Sequence, residues 1–476
     1  MRHYRSMKCS EMCNAGRHGA ASALPLRLRA ASCCRAISAP SGTTSAPQVH
    51  VQSRSGLAGK LEALPFVMPA MSMLGAAGIS HFAQVVQNYP GNSLPPWLAA
   101  LLLGPPLIMF VANPALDKLL GPVELPAHTQ AVADGPAGAV NPTSSSLSGF
   151  AARALPTAWV AAFCTASLLT ACSLGQLGAS GPDPLAQAQL LGLLVLGLGT
   201  TGAVGTAAAH ELIHSRHPVH QTAGELMLAW VWFWPYSRSH HHHHLTVGTP
   251  DDHASAPLGQ ALGPFLWQYF VGNMTIAWEM ECKETARKGH PAWSPYNRFL
   301  WGMAAQLGIT AAVTCLGGWA ALAVHCAAGT VAQLQLGVVD YVLHYGLQRP
   351  RKADGQRLSP VSHHSSYNSG YALENAMLFK VLMHSDHHLT ASKPWGSLGL
   401  LGQASPAALA SNELEQGQVE VEEGAELSQP LLLPKWPMSG VLALALVPPL
   451  WFNVVDPVSR HANSLHVRQQ EVHPAK

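Results

Sequence analysis

The residues best equipped for chemistry are histidines, gathered in four clusters between positions 210 and 388. His210-Glu211-Leu212-Ile213-His214 sets two imidazoles at i and i+4, on one face of a helix. The run His240-His241-His242-His243-His244 contains the spacing H-x-x-H-H at His240, His243 and His244. His344 stands alone in Asp340-Tyr341-Val342-Leu343-His344-Tyr345-Gly346. Clearest of all is Met383-His384-Ser385-Asp386-His387-His388, whose i, i+3, i+4 spacing can point three imidazoles at one centre. Neutral imidazole is a borderline ligand that suits iron and zinc. Nine such ligands exceed what one four-coordinate zinc site uses, so the spacing implies two metals held close together.

Each cluster has a plainer reading when taken alone. H-E-x-x-H recurs by chance, a five-histidine run fits a low-complexity tract, and a single histidine more often completes a hydrogen-bonded core. What joins the four is position, because each follows an apolar stretch at the point where a helix would leave a bilayer.

The elements that must carry these clusters are apolar helices. Of 476 residues, 48% are hydrophobic and 11% charged, which points to a membrane protein, and the net charge of +2 gives no argument for nucleic acid. Stretches of roughly 20 apolar residues, enough to span a bilayer, run from Leu64 to Val86, Pro96 to Asn113, Thr157 to Leu177 and Ala186 to Ala209. Two more, Phe299 to Leu316 and Trp319 to Leu343, form a tight hairpin about Gly317-Gly318. Only helices or closed barrels satisfy backbone groups in lipid, so the expected fold is an all-α integral membrane protein with about six spans.

Charge sets the topology. Residues 87–95, 178–185 and the Gly317-Gly318 turn carry no Lys or Arg, whereas the histidine side carries Lys283, Arg287, Lys288, Arg298, Arg349, Arg351, Lys352 and Arg357. The site therefore faces the cytosol-like side. Leu226 to Pro235 is too short to cross and reads as a re-entrant or interfacial turn. Pro264 to Met280, broken by Gln268, Asn273 and Glu279, reads as an interfacial amphipathic helix.

The remaining segments are peripheral. Residues 1–60 hold seven arginines, two lysines and one acidic residue, Glu11, which reads as an organelle transit peptide, plastid in preference to mitochondrion. Residues 61–402 form the membrane domain, and 403–433, with Glu413, Glu415, Glu420, Glu422, Glu423 and Glu426, an acidic disordered insert. Residues 434–476 complete the domain, and Pro448-Pro449 argues against a seventh span there. The cysteines form no C-x-x-C and imply a reducing compartment without disulfides.

With these residues in view, the chain resembles the membrane-bound non-haem diiron alkane 1-monooxygenases of the fatty acid desaturase and hydroxylase superfamily. The likeness rests on His-Glu-Leu-Ile-His at 210–214 and His-His-x-x-Val-Gly-Thr-Pro-Asp-Asp-His-Ala-Ser from His243. It continues with His-Tyr-Gly-Leu-Gln-Arg from His344, Tyr-Asn-Ser from Tyr367 and Met-Leu-Phe-Lys-Val-Leu-Met-His-Ser-Asp-His-His from Met377. The chain departs from the family at Ser239, where a histidine is expected. His240 takes that role by a one-residue change of spacing, with His241 and His242 as alternatives. Leu343 and Tyr367 replace the family's Glu and Trp, and Leu389-Thr-Ala-Ser-Lys-Pro-Trp395 replaces a run containing Arg and Tyr.

The resemblance implies two iron ions held by His210, His214, His240, His243, His244, His344, His384, His387 and His388. It implies use of O₂, a rubredoxin- or ferredoxin-like electron donor, and insertion of one oxygen atom into a C–H bond of an apolar chain drawn from the lipid bilayer. Glu211 and Asp386, inside the boxes, are expected to accept hydrogen bonds from ligating imidazoles. An acyl-lipid desaturase would use the same iron site. A divalent-metal transporter would place polar ligands midway through its spans, which these spans lack. A zinc protease using His210, Glu211 and His214 would leave most of the histidines unexplained.

Overall fold

The structure, a computed structural model, describes residues 64–88, 93–121, 153–177, 183–349, 358–399, 431–433 and 436–472. They fall within one compact unit, Arg54–Lys476. The expected transit peptide and most of the acidic insert lie outside the described residues.

The described residues are helical and contain no strand beyond an isolated bridge between Asn368 and Leu432. In chain order the helices are α1 (Val67–Asn88), α2 (Pro96–Leu107), α3 (Asn113–Leu120), α4 (Ala154–Leu177), α5 (Pro184–Ile213) and α6 (Pro218–Trp230). Then follow α7 (Tyr236–Thr246), α8 (Leu262–Arg287), α9 (Arg298–His344), α10 (Ala372–Met377), α11 (His384–Leu389), α12 (Met438–Ala445) and α13 (Pro448–Val472). Among the described residues, five apolar segments are long enough to cross a membrane: Leu64–Val85, Pro96–Leu120, Ala154–Leu177, Pro184–Ile213 and Arg298–His344.

The last of these is two spans. Gly318 breaks α9 with φ 66°, ψ −159°, a backbone conformation open to glycine and costly for other residues. Gln306 Oε1 accepts from the Trp234 N–H, and Gln333 Nε2 donates to the Val231 carbonyl, both at 2.8 Å. A straight helix would hold these glutamines about 40 Å apart, yet they reach residues on either side of one turn. The two halves are therefore antiparallel, and these segments of the described residues make six candidate crossings.

The second span is longer than sequence patterning indicates. Pro96–Leu120 runs past Asn113 through a π-turn, Ile108–Ala112, because its polar end is used rather than solvated. Asp117, fully buried, accepts the Leu373 and Glu374 N–H groups at 2.8 and 2.9 Å, capping α10. Glu374 in turn accepts the Met438 N–H at the start of α12 at 2.5 Å.

Helix α5 begins sharply: Asp183 Oδ1 caps it through the Leu185 and Ala186 N–H groups at 3.0 Å, with Pro184 in the first turn. Its small-residue stretch lets neighbours close in. A Cβ on Gly197 would sit 2.4 Å from the Leu102 carbonyl oxygen. Helices α6 and α7 form a re-entrant hairpin whose tip, 231–235, sinks between the two halves of α9. The two glutamines satisfy backbone groups that would otherwise be orphaned away from water. Helix α8 buries a stripe of Phe265, Tyr269, Asn273, Ala277 and Glu281 and shows Trp267, Val271 and Met274 outward. Helices α12 and α13 meet at a 120° bend at Pro448-Pro449. Residues 431–433, expected within the acidic insert, instead bind Asn368: its N–H donates to Leu431 and its carbonyl accepts from Leu433, both at 2.8 Å.

Candidate metal centre

Four helix ends deliver the histidines to one face of the bundle. His210 and His214 close α5, His240, His243 and His244 ride up from the re-entrant tip on α7, His344 closes α9, and α11 carries the last three. Helix α11 is short and sits where Asn368 sets it. The Asn368 amide donates to Ser385 Oγ, and its Oδ1 accepts from the Ser385 N–H at 3.0 Å.

All nine expected ligands converge, in two groups. His210, His214, His240, His244 and His387 form one; His243, His344, His384 and His388 form the other. Within each, one nitrogen per ring lies within 4.8 Å of all the others. The Nε2 atoms of His244 and His240, of His387 and His244, and of His344 and His384 are 3.0 Å apart. Two ligands at right angles around an ion, each about 2.1 Å away, would lie about 3.0 Å apart. His210 Nε2, His214 Nε2 and His243 Nε2 are buried without a protein partner, as atoms facing an ion would be. The residues fit two metal ions.

The partition corrects one expectation. His384, His387 and His388 do not share a centre, because residues at i and i+4 stay in register while i+3 points aside. The pairs 210/214, 240/244 and 384/388 each serve one group, and His243 and His387 cross to the group opposite their own helix's pair. Of the alternatives at the Ser239 position, His240 joins a group and His241 and His242 do not. Ser239 is buried and donates to the Pro235 carbonyl and to Asn273.

A second correction concerns the carboxylates. Glu211 pairs with Arg153 at 2.8 Å, and Asp386 takes Lys393 Nζ at 2.6 Å and the Gly399 N–H at 2.9 Å. Arg153 also donates to the Ser392 carbonyl, so both acids secure the segment after α11 rather than an imidazole. The acid that does meet an imidazole is Asp252, whose Oδ2 lies 2.9 Å from His243 Nδ1 and accepts from Ser255 Oγ at 2.6 Å. Sequence reasoning gave Asp252 no role. Its only signal was its place in the Gly-Thr-Pro-Asp-Asp-His turn.

Electrostatics favour ligation. Burial, then the repulsion of neighbouring imidazoles, holds His214, His387 and His388 well below the ordinary histidine range, so they are neutral donors. Burial alone would lower His243 too, but the Asp252 carboxylate outweighs it and raises it. That bond fixes the proton on Nδ1 and leaves Nε2 for the metal. Beside the centre lies a largely apolar cavity with His210 from one group and His384 from the other in its wall.

Comparison with known proteins agrees with this geometry. The family model described as fatty acid desaturase matches residues 184–419. Alkane 1-monooxygenase 1 of Pseudomonas aeruginosa is 32% identical over 268 residues, 56% of this chain and 63% of the relative. Alkane 1-monooxygenase 2 of Alcanivorax borkumensis is 31% identical over 265 residues, 55% and 62% respectively. The chain thus spans less than two thirds of the length of these curated relatives. Both histidine groups of this integral membrane protein lie within the residues that the fatty acid desaturase model matches, and over just over half of its length the chain is similar to alkane 1-monooxygenases.

Proposed function

We propose that the protein is a diiron monooxygenase that hydroxylates the terminal C–H bond of an alkane or fatty acyl chain. The overall reaction is R–H + O₂ + 2 e⁻ + 2 H⁺ → R–OH + H₂O. The observation that carries this reading is the contact of one apolar cavity with an imidazole from each histidine group. Iron bound there would supply the redox chemistry that activates dioxygen.

The chain's own residues bind, orient and exclude water. His210 and His384 bring the two groups to the cavity wall, and Met109, Leu336, Val339, Leu343 and Leu442 give it an apolar lining. Such a lining takes a hydrocarbon chain and keeps solvent from the reacting carbon. His244, the one half-buried member of the nine, marks the side from which electrons would arrive from a rubredoxin- or ferredoxin-like donor. The composition of residues 1–60 supports an organelle membrane, plastid before mitochondrion, which import into isolated organelles would test.

The decisive experiment measures metal in the detergent-purified protein together with product formation on alkanes and acyl chains. About two irons per chain, lost in His384→Ala and His214→Ala, with an alcohol product, is the expected result. One zinc per chain, retained in His384→Ala, would overturn the reading.

A further inference from the structure

Three glutamines stand in the hairpin helix α9, and two have structural work. Gln306 and Gln333 satisfy the backbone of the re-entrant tip. Gln335 has no such duty. Among the described residues its amide makes one hydrogen bond, a long one, Nε2 to Thr200 Oγ1 at 3.3 Å. It lines the cavity from a position more than two helical turns before His344 on the same helix. A polar side chain within a membrane span is expensive, and one left under-used beside a cavity is a site in waiting.

Resting on the hydroxylase reading above, we infer that the substrate carries a neutral oxygen function, a hydroxyl or an ester carbonyl, at the end opposite the reacting carbon. Gln335 binds that group. Its amide can both donate and accept. The lining includes Asp340 and, among the described residues, no lysine or arginine, so a carboxylate there would be buried uncompensated. Length follows from the helix. Gln335 lies nine positions before His344, about 13 Å along the axis, and an extended chain advances about 1.2 Å per bond. About eleven bonds span the distance from the amide to the metal centre.

The test compares dodecane with 1-dodecanol and methyl undecanoate, using iron-loaded enzyme and a chemical or photochemical reductant. Wild type is expected to show a kcat/KM at least tenfold higher for the oxygen-bearing chains, carried by KM. Gln335→Leu brings that ratio close to one, and Thr200→Val, which frees the amide from its one partner among the described residues, shifts the ratio by less than Gln335→Leu. Equal or better use of dodecane by wild type would overturn the inference. So would an unchanged ratio in Gln335→Leu at full iron content, or in Thr200→Val if Gln335→Leu fails to load iron. Absence of product from all three substrates would instead count against the hydroxylase reading.

Discussion

The two histidine groups occupy one face of the bundle yet are built differently. In the four-membered group, three rings have their outer nitrogen held: His243 by Asp252, His384 by the Val381 carbonyl at 3.1 Å, His344 by the Ser365 carbonyl at 3.4 Å. Only His388 Nδ1 is left without a partner. In the five-membered group, His244 and His387 both have an unpartnered Nδ1, and His244 is half-buried. The first group is held from outside, and the second relies on its number of donors. Ligands fixed by outer hydrogen bonds lose less freedom on binding, so the four-membered group should hold its ion more tightly.

The largest test of this contrast is Asp252→Asn. It removes the carboxylate behind His243 and should weaken metal binding in the four-membered group about 10–100-fold. Metal analysis should then fall from two ions per chain towards one. Loss of both ions together would break the contrast. Chelator release sharpens it kinetically. Wild type should lose metal in two phases, the faster from the five-membered group through His244, and His244→Ala should remove the fast phase. A single phase in wild type would mean that the groups are equally held.

Smaller effects probe what the groups share. Gln306→Leu and Gln333→Leu each orphan a backbone group at the re-entrant tip and should cost about 1–3 kcal/mol. Because α7 feeds both groups, thermal melting should show a lowered Tm with both ions affected equally. The smallest effect lies away from either group. Burial, with the nearby Asp117 charge adding to it, raises Glu374 to about 8. The folded state therefore holds a proton that the unfolded chain releases above its ordinary carboxyl range, near 4.5. That stability is present at low pH and is lost as pH rises through about 8, so Tm should drop by a few degrees between pH 6 and pH 8.5. Glu374→Gln should flatten this slope and leave metal content unchanged.

Much of this arrangement was legible in the sequence. The histidine spacing names every residue that the structure gathers, and the apolar stretches with Gly317-Gly318 give the six crossings, because both signals are local and periodic. What was not legible depends on contacts between distant segments. The crossing of His243 and His387 to opposite groups needs the relative rotation of α7 and α11, which no single helix contains. Asp252 reads as a turn residue until the loop folds onto His243. Gln306 and Gln333 look like polar interruptions of a span, and their use appears only when the re-entrant tip arrives between them. Asp117 looks like the point where a span should already have ended, yet it is the cap of α10.

The clamp around α11 has a consequence for the long stretch between Gly399 and Leu431. Its near end is tied to Asp386 through the Gly399 N–H, and its far end reaches Ser385, one residue away, through Asn368. A stretch anchored so closely at both ends changes its closure entropy only logarithmically with length. An inserted tag, reporter or tethered redox module at this position is therefore expected to leave metal content unchanged, which metal analysis of the insertion variant would check.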